Sequence, residues 1–348
     1  MMNDSKREAM KILGIESSCD ETAAAVVEDG QRVLSDVVAS QIAVHSPYGG
    51  VVPELASRKH VEVILPVVDQ ALSEAGLGRE SVDAIAVTQG PGLIGALLVG
   101  MSAAKAMAYA WRKPLIAVNH LEGHMQAAFL GREPLDRPFV CLVVSGGHSA
   151  LYHVEPDGRS RLLGGTRDDA AGEAFDKVAK LLDLGYPGGV VIDRLAAQGN
   201  SAAFQFPKAL MNRDSLEFSF SGIKTAVANF VRRFGPPPKA GDAGPYRLED
   251  LLASFQEALV EVLVTKTFRA VGQCGVRNAA VVGGVAANRR LRQRLGEEAA
   301  YHRVELHLPE PRYCTDNAVM IAAAGYAVYR RAGFCHNPLE LDAVSRWL

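Results

Sequence analysis

Two histidines four residues apart, His120 and His124, stand in the stretch Asn119-His120-Leu121-Glu122-Gly123-His124. On a helix that spacing puts both rings on one face, within reach of one cation. The competing reading is a pair of ordinary helix histidines. Two ligands do not close a site, so a third must come from elsewhere. Asp316, in Cys314-Thr315-Asp316-Asn317, is a candidate, although a carboxylate just before an apolar helix also serves as an N-cap. Three protein ligands with an open position make a Lewis acid rather than a structural clip. The zinc-protease pattern His-Glu-x-x-His places Glu beside the first His. Here Leu121 intervenes, so Glu122 points elsewhere on the helix.

Other residues suit a nucleotide or acyl group. In Ser145-Gly146-Gly147-His148, glycines after a strand let backbone N–H groups wrap a phosphate or acyl oxygen, or simply make a hairpin turn. A second pair, Gly283-Gly284, supports a two-part cradle, and Asn288 beyond it suits a ribose or base edge, or a helix cap. Asp176 lies on a helical stretch where pairing with Lys180 is the ordinary alternative. Tyr186-Pro187-Gly188-Gly189 is a turn that lets backbone approach a ligand, and Asp193 follows four residues after Gly189. Asp20 and Glu21 sit in the first strand-turn, where Asp20 is a candidate general base. Arg289, Arg290, Arg292 and Arg294 crowd one helix, with Arg232-Arg233 and Arg58-Lys59 elsewhere. Such runs are solvated faces or RNA-backbone contacts.

The elements that must position these residues can be read from pattern. Lys11–Ile15, Thr22–Val27 and Arg32–Ser40 read as an antiparallel meander turned at Asp29-Gly30. A long helix opens at Pro53 and carries Pro66 as a kink or break. A strand at Ala84–Thr88, a small-residue helix at Leu93–Trp111 and a buried strand at Leu115–Val118 lead to the histidines. From Phe139 the order strand-turn-strand-strand-helix-strand-helix begins again. It includes an irregular insert around Phe218 to Lys224, a stiff Pro-rich loop at Gly235–Pro245 and a long helix at Leu248–Cys274. The last helix is expected at Asp316–Arg331. Two such α/β halves predict the two-lobed actin/hexokinase/Hsp70-like (ASKHA) class, two duplicated βββαβαβα-type lobes with a nucleotide in an interlobe cleft. The expected division is 1–128 with 326–348 as the N-terminal lobe and 129–325 as the C-terminal lobe.

Composition bounds the rest. At 348 residues the chain suits two domains. Hydrophobic content of 48% and charged content of 22% are those of a globular protein. The formal net charge of −2 excludes a global basic field for nucleic acid, leaving local patches. The 5 cysteines are odd in number and form no CxxC, which disfavours a disulfide framework or zinc knuckle and fits a reducing, cytoplasmic setting. The polar segment Met1–Met10 is no signal sequence, and no apolar run approaches the ~20 residues of a membrane span.

Taken together, these motifs resemble one family, the tRNA N6-adenosine threonylcarbamoyltransferases (TsaD/Gcp), in a bacterial form. The resemblance runs from Gly14-Ile15-Glu16-Ser17-Ser18-Cys19-Asp20-Glu21-Thr22 to Thr315-Asp316-Asn317. Between them lie Tyr48 to Glu54, Gly90-Pro91-Gly92-Leu93, His120 to His124, Val144 to His148, Ala170 to Lys177, Tyr186 to Gly189, Phe218 to Lys224 and Gly283 to Asn288. It implies an acyltransferase that moves the threonylcarbamoyl group from L-threonylcarbamoyladenylate to N6 of adenosine 37, in tRNAs reading codons that begin with A. The products are t6A and AMP. It implies one Fe2+ or Zn2+ on His120, His124 and Asp316, and substrate contacts at Val144, Ser145, Gly146, Gly147, His148, Asp176, Gly189, Asp193 and Asn288. The implied partners are tRNA, a TsaB-like subunit and a TsaE-like ATPase, with no membrane. The rival readings are a zinc endopeptidase, a sugar kinase of the same fold class and a non-catalytic scaffold.

Overall fold

The computed structural model describes residues 9–132, 135–211, 214–237 and 244–346. Most of the expected N-terminal tail and the middle of the Gly235–Pro245 loop lie outside them. In chain order the first half holds β1 (Lys11–Glu16), β2 (Glu21–Glu28), β3 (Arg32–Ser40), α1 (Ile42–His45), α2 (Pro53–Glu74), β4 (Ala84–Gly90), α3 (Ile94–Trp111), β5 (Leu115–Asn119) and α4 (His120–Ala127). There follow β6 (Phe139–Val144), β7 (Ser149–Val154), β8 (Ser160–Gly165), α5 (Ala171–Leu181), α6 (Gly188–Ala196), α7 (Ser221–Phe234), α8 (Leu248–Cys274), β9 (Asn278–Val282), α9 (Arg289–His302), β10 (Glu305–His307) and α10 (Ala318–Ala332).

The chain divides into two compact units, one of Met1–Val44, Val51–Pro134 and Asp316–Leu348, the other of His45–Gly50 and Leu135–Thr315. Each is built on a five-stranded sheet, ordered β3-β2-β1-β4-β5 in the first and β8-β7-β6-β9-β10 in the second. In both, the first strand pairs antiparallel with the second and parallel with the fourth. The repeated order expected from the sequence is therefore a repeated topology.

In the first unit, β1 is the central strand and its two faces do different work. Leu13 and Ile15 join the core made with α2 and α3. Gly14 and Glu16, pointing the other way by strand alternation, face α10. A Cβ on Gly14 would stand 2.3 Å from the Ala318 carbonyl oxygen and 2.8 Å from the Ala322 amide nitrogen. A Cβ on Gly325 would meet that of Ala86 in β4 at 2.6 Å. These missing side chains let α10 lie directly on β1 and β4. The whole of α10 thus belongs to the first unit, whereas the expected division splits it at 325.

Three local expectations change. By length and composition α3 is a candidate span, with 18 residues and a mean hydropathy of 1.3. One face of it, with Met101, Ala104, Met107 and Ala108, is buried against α2 and the sheet, while Ile94, Leu98 and Tyr109 are exposed. The helix α2 runs through Pro66 without ending. The insert after Phe218 becomes α7 because Asp168, far back in the chain, accepts hydrogen bonds from the Phe220 amide (2.8 Å), the Ser221 amide (3.2 Å) and the Ser219 and Ser221 hydroxyls. In the second unit, α8 packs a largely buried length against β6, α5, α6 and α9.

Gly14→Ala is expected to cost about 1–3 kcal/mol through overpacking. If His120, His124 and Asp316 form a cation site, it should also weaken cation uptake there, because α10 carries Asp316 at its entrance. Denaturant midpoints and metal titration of the variant check both effects, and an unchanged midpoint would show that α10 is not clamped here.

Candidate metal centre

Each of the two helices that meet here starts with an asparagine cap. Asn119 Oδ1 accepts from the Leu121 amide (2.8 Å), which begins α4 at His120. Asn317 Oδ1 accepts from the Met320 amide (2.9 Å), which begins α10. The capping role considered for Asp316 therefore falls to its neighbour, and the Asp316 carboxylate is available for other work. Gly123, between the two histidines, lets α4 close on α10: a Cβ there would stand 2.9 Å from Ile321.

That packing brings His120, His124 and Asp316 together, with one ligand atom of each within 4.8 Å of the others. Asp316 Oδ1 lies 3.1 Å from His124 Nε2 and 3.5 Å from His120 Nε2. Ligands at about 2.0–2.2 Å around a tetrahedral ion stand roughly 3.3–3.5 Å apart, so these spacings fit a shared divalent cation. Two imidazoles and one carboxylate suit Fe2+ or Zn2+. Glu122 stays outside the group and pairs with Arg331 at 3.3 Å, so it is not placed to act as the base of a protease.

Glu16, which sequence reasoning passed over, is fully buried at the end of β1, with its Oε2 2.9 Å from His120 Nδ1. The signal was there: an acid closing an otherwise apolar strand has to find a partner. Burial alone would make Glu16 hard to ionise, but the charge and hydrogen bond of His120, with a hydrogen bond from Thr88, hold its carboxyl below the ordinary range. Burial likewise opposes an imidazolium at His120, yet Glu16 and Asp316 together raise its pKa well above the usual value. Asp316 is lowered by His120 and His124 against its own desolvation.

Asp20 and Glu21 lie in the turn and first residue of β2. Burial, and then the charge of Asp20, push Glu21 up to about 8, while Ser40 donates to it at 3.0 Å. Burial, with Asp20 and Asp316 nearby, pushes the Cys19 thiol well up, so it is not a thiolate nucleophile.

In the second unit the Gly-rich residues form a connected surface. Val144 ends β6, and the exposed Gly146 and Gly147 form the tip of the turn into β7. His148 and Ser145 close that turn: the Ser145 amide donates to the His148 carbonyl (2.8 Å) and the His148 amide to Ser145 Oγ (3.1 Å). The N-terminus of α5 presses on it, with the Gly172 amide donating to the Ser145 carbonyl at 3.2 Å. On α5, Asp176 accepts from the Gly188 amide at 2.7 Å and so starts α6, which carries Gly189 and Asp193. Asp193 receives Arg289 Nε at 2.7 Å. Asn288 caps α9 through Leu291 N–H (2.9 Å) and donates to Gln256 at 2.8 Å. Gly283, at φ +94°, passes against Val144, where a Cβ would meet backbone at 2.5 Å. The remaining arginines of the run are engaged as well: Arg290 and Arg294 on Glu257, Arg292 on the carbonyls of Ala286 and Pro309.

The TsaD family model, described as tRNA N6-adenosine threonylcarbamoyltransferase, matches residues 32–323. A protein of that name from Syntrophobacter fumaroxidans is 73% identical over 97% of this chain and 100% of its own length. One from Anaeromyxobacter sp. (strain Fw109-5) is 58% identical over the same shares. The chain belongs to this family. As a member of the TsaD family it is a transferase of tRNA modification. Solved structures show the fold in more distant company. HypF in its phosphate- and nucleotide-bound form superposes with a TM-score of 0.63 at 12% identity, covering 95% of this chain and 48% of HypF, so the chain spans about half of that protein. The activator of the 2-hydroxyisocaproyl-CoA dehydratase from Clostridium difficile, with bound ADPNP, gives 0.54 at 15% identity over 93% of this chain and 97% of its own. At such identities the likeness establishes the actin/hexokinase/Hsp70-like architecture of this TsaD-family chain.

Two pH effects follow. His120 has a raised folded pKa, so its contribution to the stability of the metal-free protein is complete below about pH 6.5. That contribution is lost as pH rises through the raised value, and uptake of a cation at this candidate site, which would displace the proton, is expected to tighten over the same window. Calorimetric titration in buffers of different ionisation enthalpy counts the released proton. Glu21 is protonated when folded and ionised when unfolded between about pH 4.5 and 8, so stability falls as pH rises through that range. Glu21→Gln is expected to be more stable than the native chain at pH 8, by on the order of 4 kcal/mol, with the difference vanishing toward pH 4.5 in denaturant titrations.

Proposed function

We propose that this chain transfers the threonylcarbamoyl group of L-threonylcarbamoyladenylate to N6 of adenosine 37, in tRNAs reading codons that begin with A, forming t6A and releasing AMP. The observation that carries the reading is the convergence of His120, His124 and Asp316 in a chain of the TsaD family. In the reaction the N6 amine attacks the carbamoyl carbon, the bond from that carbon to the phosphate oxygen breaks, and AMP leaves with the electron pair. A bound Fe2+ or Zn2+ supplies Lewis acidity, which makes a carbonyl carbon more open to a weak amine nucleophile.

The residues supply the rest. His120, His124 and Asp316 would hold the cation. The turn Val144–His148 offers backbone N–H groups to phosphate or acyl oxygens. Asp176 and Gly189 shape the neighbouring α5–α6 surface, and Asp193 and Asn288 border it, each through a bond to its own unit that orients the side chain. Asp20, in the turn after β1, takes the proton that the amine loses. The chain works in the cytoplasm with a TsaB-like subunit and a TsaE-like ATPase. A protein partner is supported by the exposed apolar residues Val61, Leu65, Leu98 and Tyr109 on α2 and α3. The endopeptidase reading has no comparable support, since Glu122 is held by Arg331.

The test is mass analysis of tRNA nucleosides after incubation with the adenylate and both partner subunits. His120→Ala and His124→Ala are expected to lose at least about 100-fold in t6A formation, while Glu122→Gln keeps it. Full transfer by His120→Ala in the presence of a chelator would overturn the metal role.

A further inference from the structure

The two imidazoles of the metal centre are held in different ways. His124 Nδ1 is buried and has no hydrogen-bond partner among the described residues. His120 Nδ1 lies 2.9 Å from Glu16 Oε2 and 3.2 Å from Ser18 Oγ. Glu16 is itself held rigidly. The Thr88 hydroxyl donates to its Oε2 at 2.7 Å, and the Ser18 amide donates to its Oε1. Its side chain is 0% exposed, and strand alternation on β1 aims it at the face where α4 and α10 lie.

The Thr88 hydroxyl and the Ser18 amide both donate to Glu16, so its oxygens act as acceptors and the His120 Nδ1 facing Oε2 is placed as a third donor. We infer that Glu16 is a positioning residue that keeps a proton on His120 Nδ1 and turns its Nε2 toward the cation position beside Asp316. Thr88 and the Ser18 amide then serve to hold Glu16. This role rests on the metal reading proposed above. It explains why an acid ends a buried strand on which it touches no solvent, and why a threonine hydroxyl is spent on it from the adjacent strand β4. A glutamine at 16 has the shape but not the chemistry. With two donors already pointing at the side chain, its amide N–H₂ must oppose one of them or face His120 Nδ1, which would then have to accept and shift the proton to Nε2.

The experiment is competition titration of the metal-free full-length protein with Zn2+, and with Co2+ as a spectroscopic probe, against a chromophoric chelator. Native chain, Glu16→Gln, Thr88→Val and His124→Ala are compared, with thermal unfolding of each metal-free form alongside. Glu16→Gln is expected to bind either ion about 10–100-fold more weakly, and Thr88→Val to show a smaller loss in the same direction. The near-isosteric Thr88→Val decides the matter if Glu16→Gln does not fold. A merely structural Glu16 would lower the unfolding midpoint and leave metal affinity where it was; native affinity in folded Glu16→Gln, or in Thr88→Val if only that variant folds, overturns the role of Glu16 alone. A native chain that takes up neither ion, and so does not differ from His124→Ala, overturns the metal reading and this inference with it.

Discussion

A buried imidazole between two carboxylates is the interaction on which the first unit depends. His120 stands between Glu16 and Asp316, and none of the three could be buried in a charged state alone without a large desolvation cost. Together they compensate one another, which is why His120 is driven toward the charged form and both acids are held ionised. On the proposed reading, a cation held by Asp316 and the two imidazoles would take the place of a proton on His120. The same row of groups ties β1, α4 and α10 to one another.

The three members of this row come from three elements that have to be brought within hydrogen-bond distance. Strand β1 delivers Glu16, the α4 cap at Asn119 delivers the histidines, and α10 delivers Asp316. The approach of α10 is set by absent atoms at Gly14, Gly325 and Gly123. Small residues here act on the chemistry at one remove: they set the distance between helix and sheet, and the distance places the carboxylate. The second unit uses the same βββαβ topology for another purpose. Its strands end in glycine turns rather than in acids, and Asp176, Asp193 and Asn288 each anchor a helix start or a cross-helix pair beside those turns.

The repeated strand order, the histidine spacing and, through the motifs, the family are legible in the residues alone. These are local properties, or properties of residue order, so periodicity and motif suffice to read them. The remainder depends on groups far apart in the chain and is set by packing. The helix α7 forms because Asp168 caps it across about fifty residues, and the arginine run on α9 is largely taken up by Glu257, Asp193 and backbone carbonyls. The role of Glu16 is of the same kind. Its type and its place at the end of an apolar strand are plain in the sequence. That it faces His120 rather than a lysine or a helix end follows from which face of β1 receives α10, and that is settled by packing.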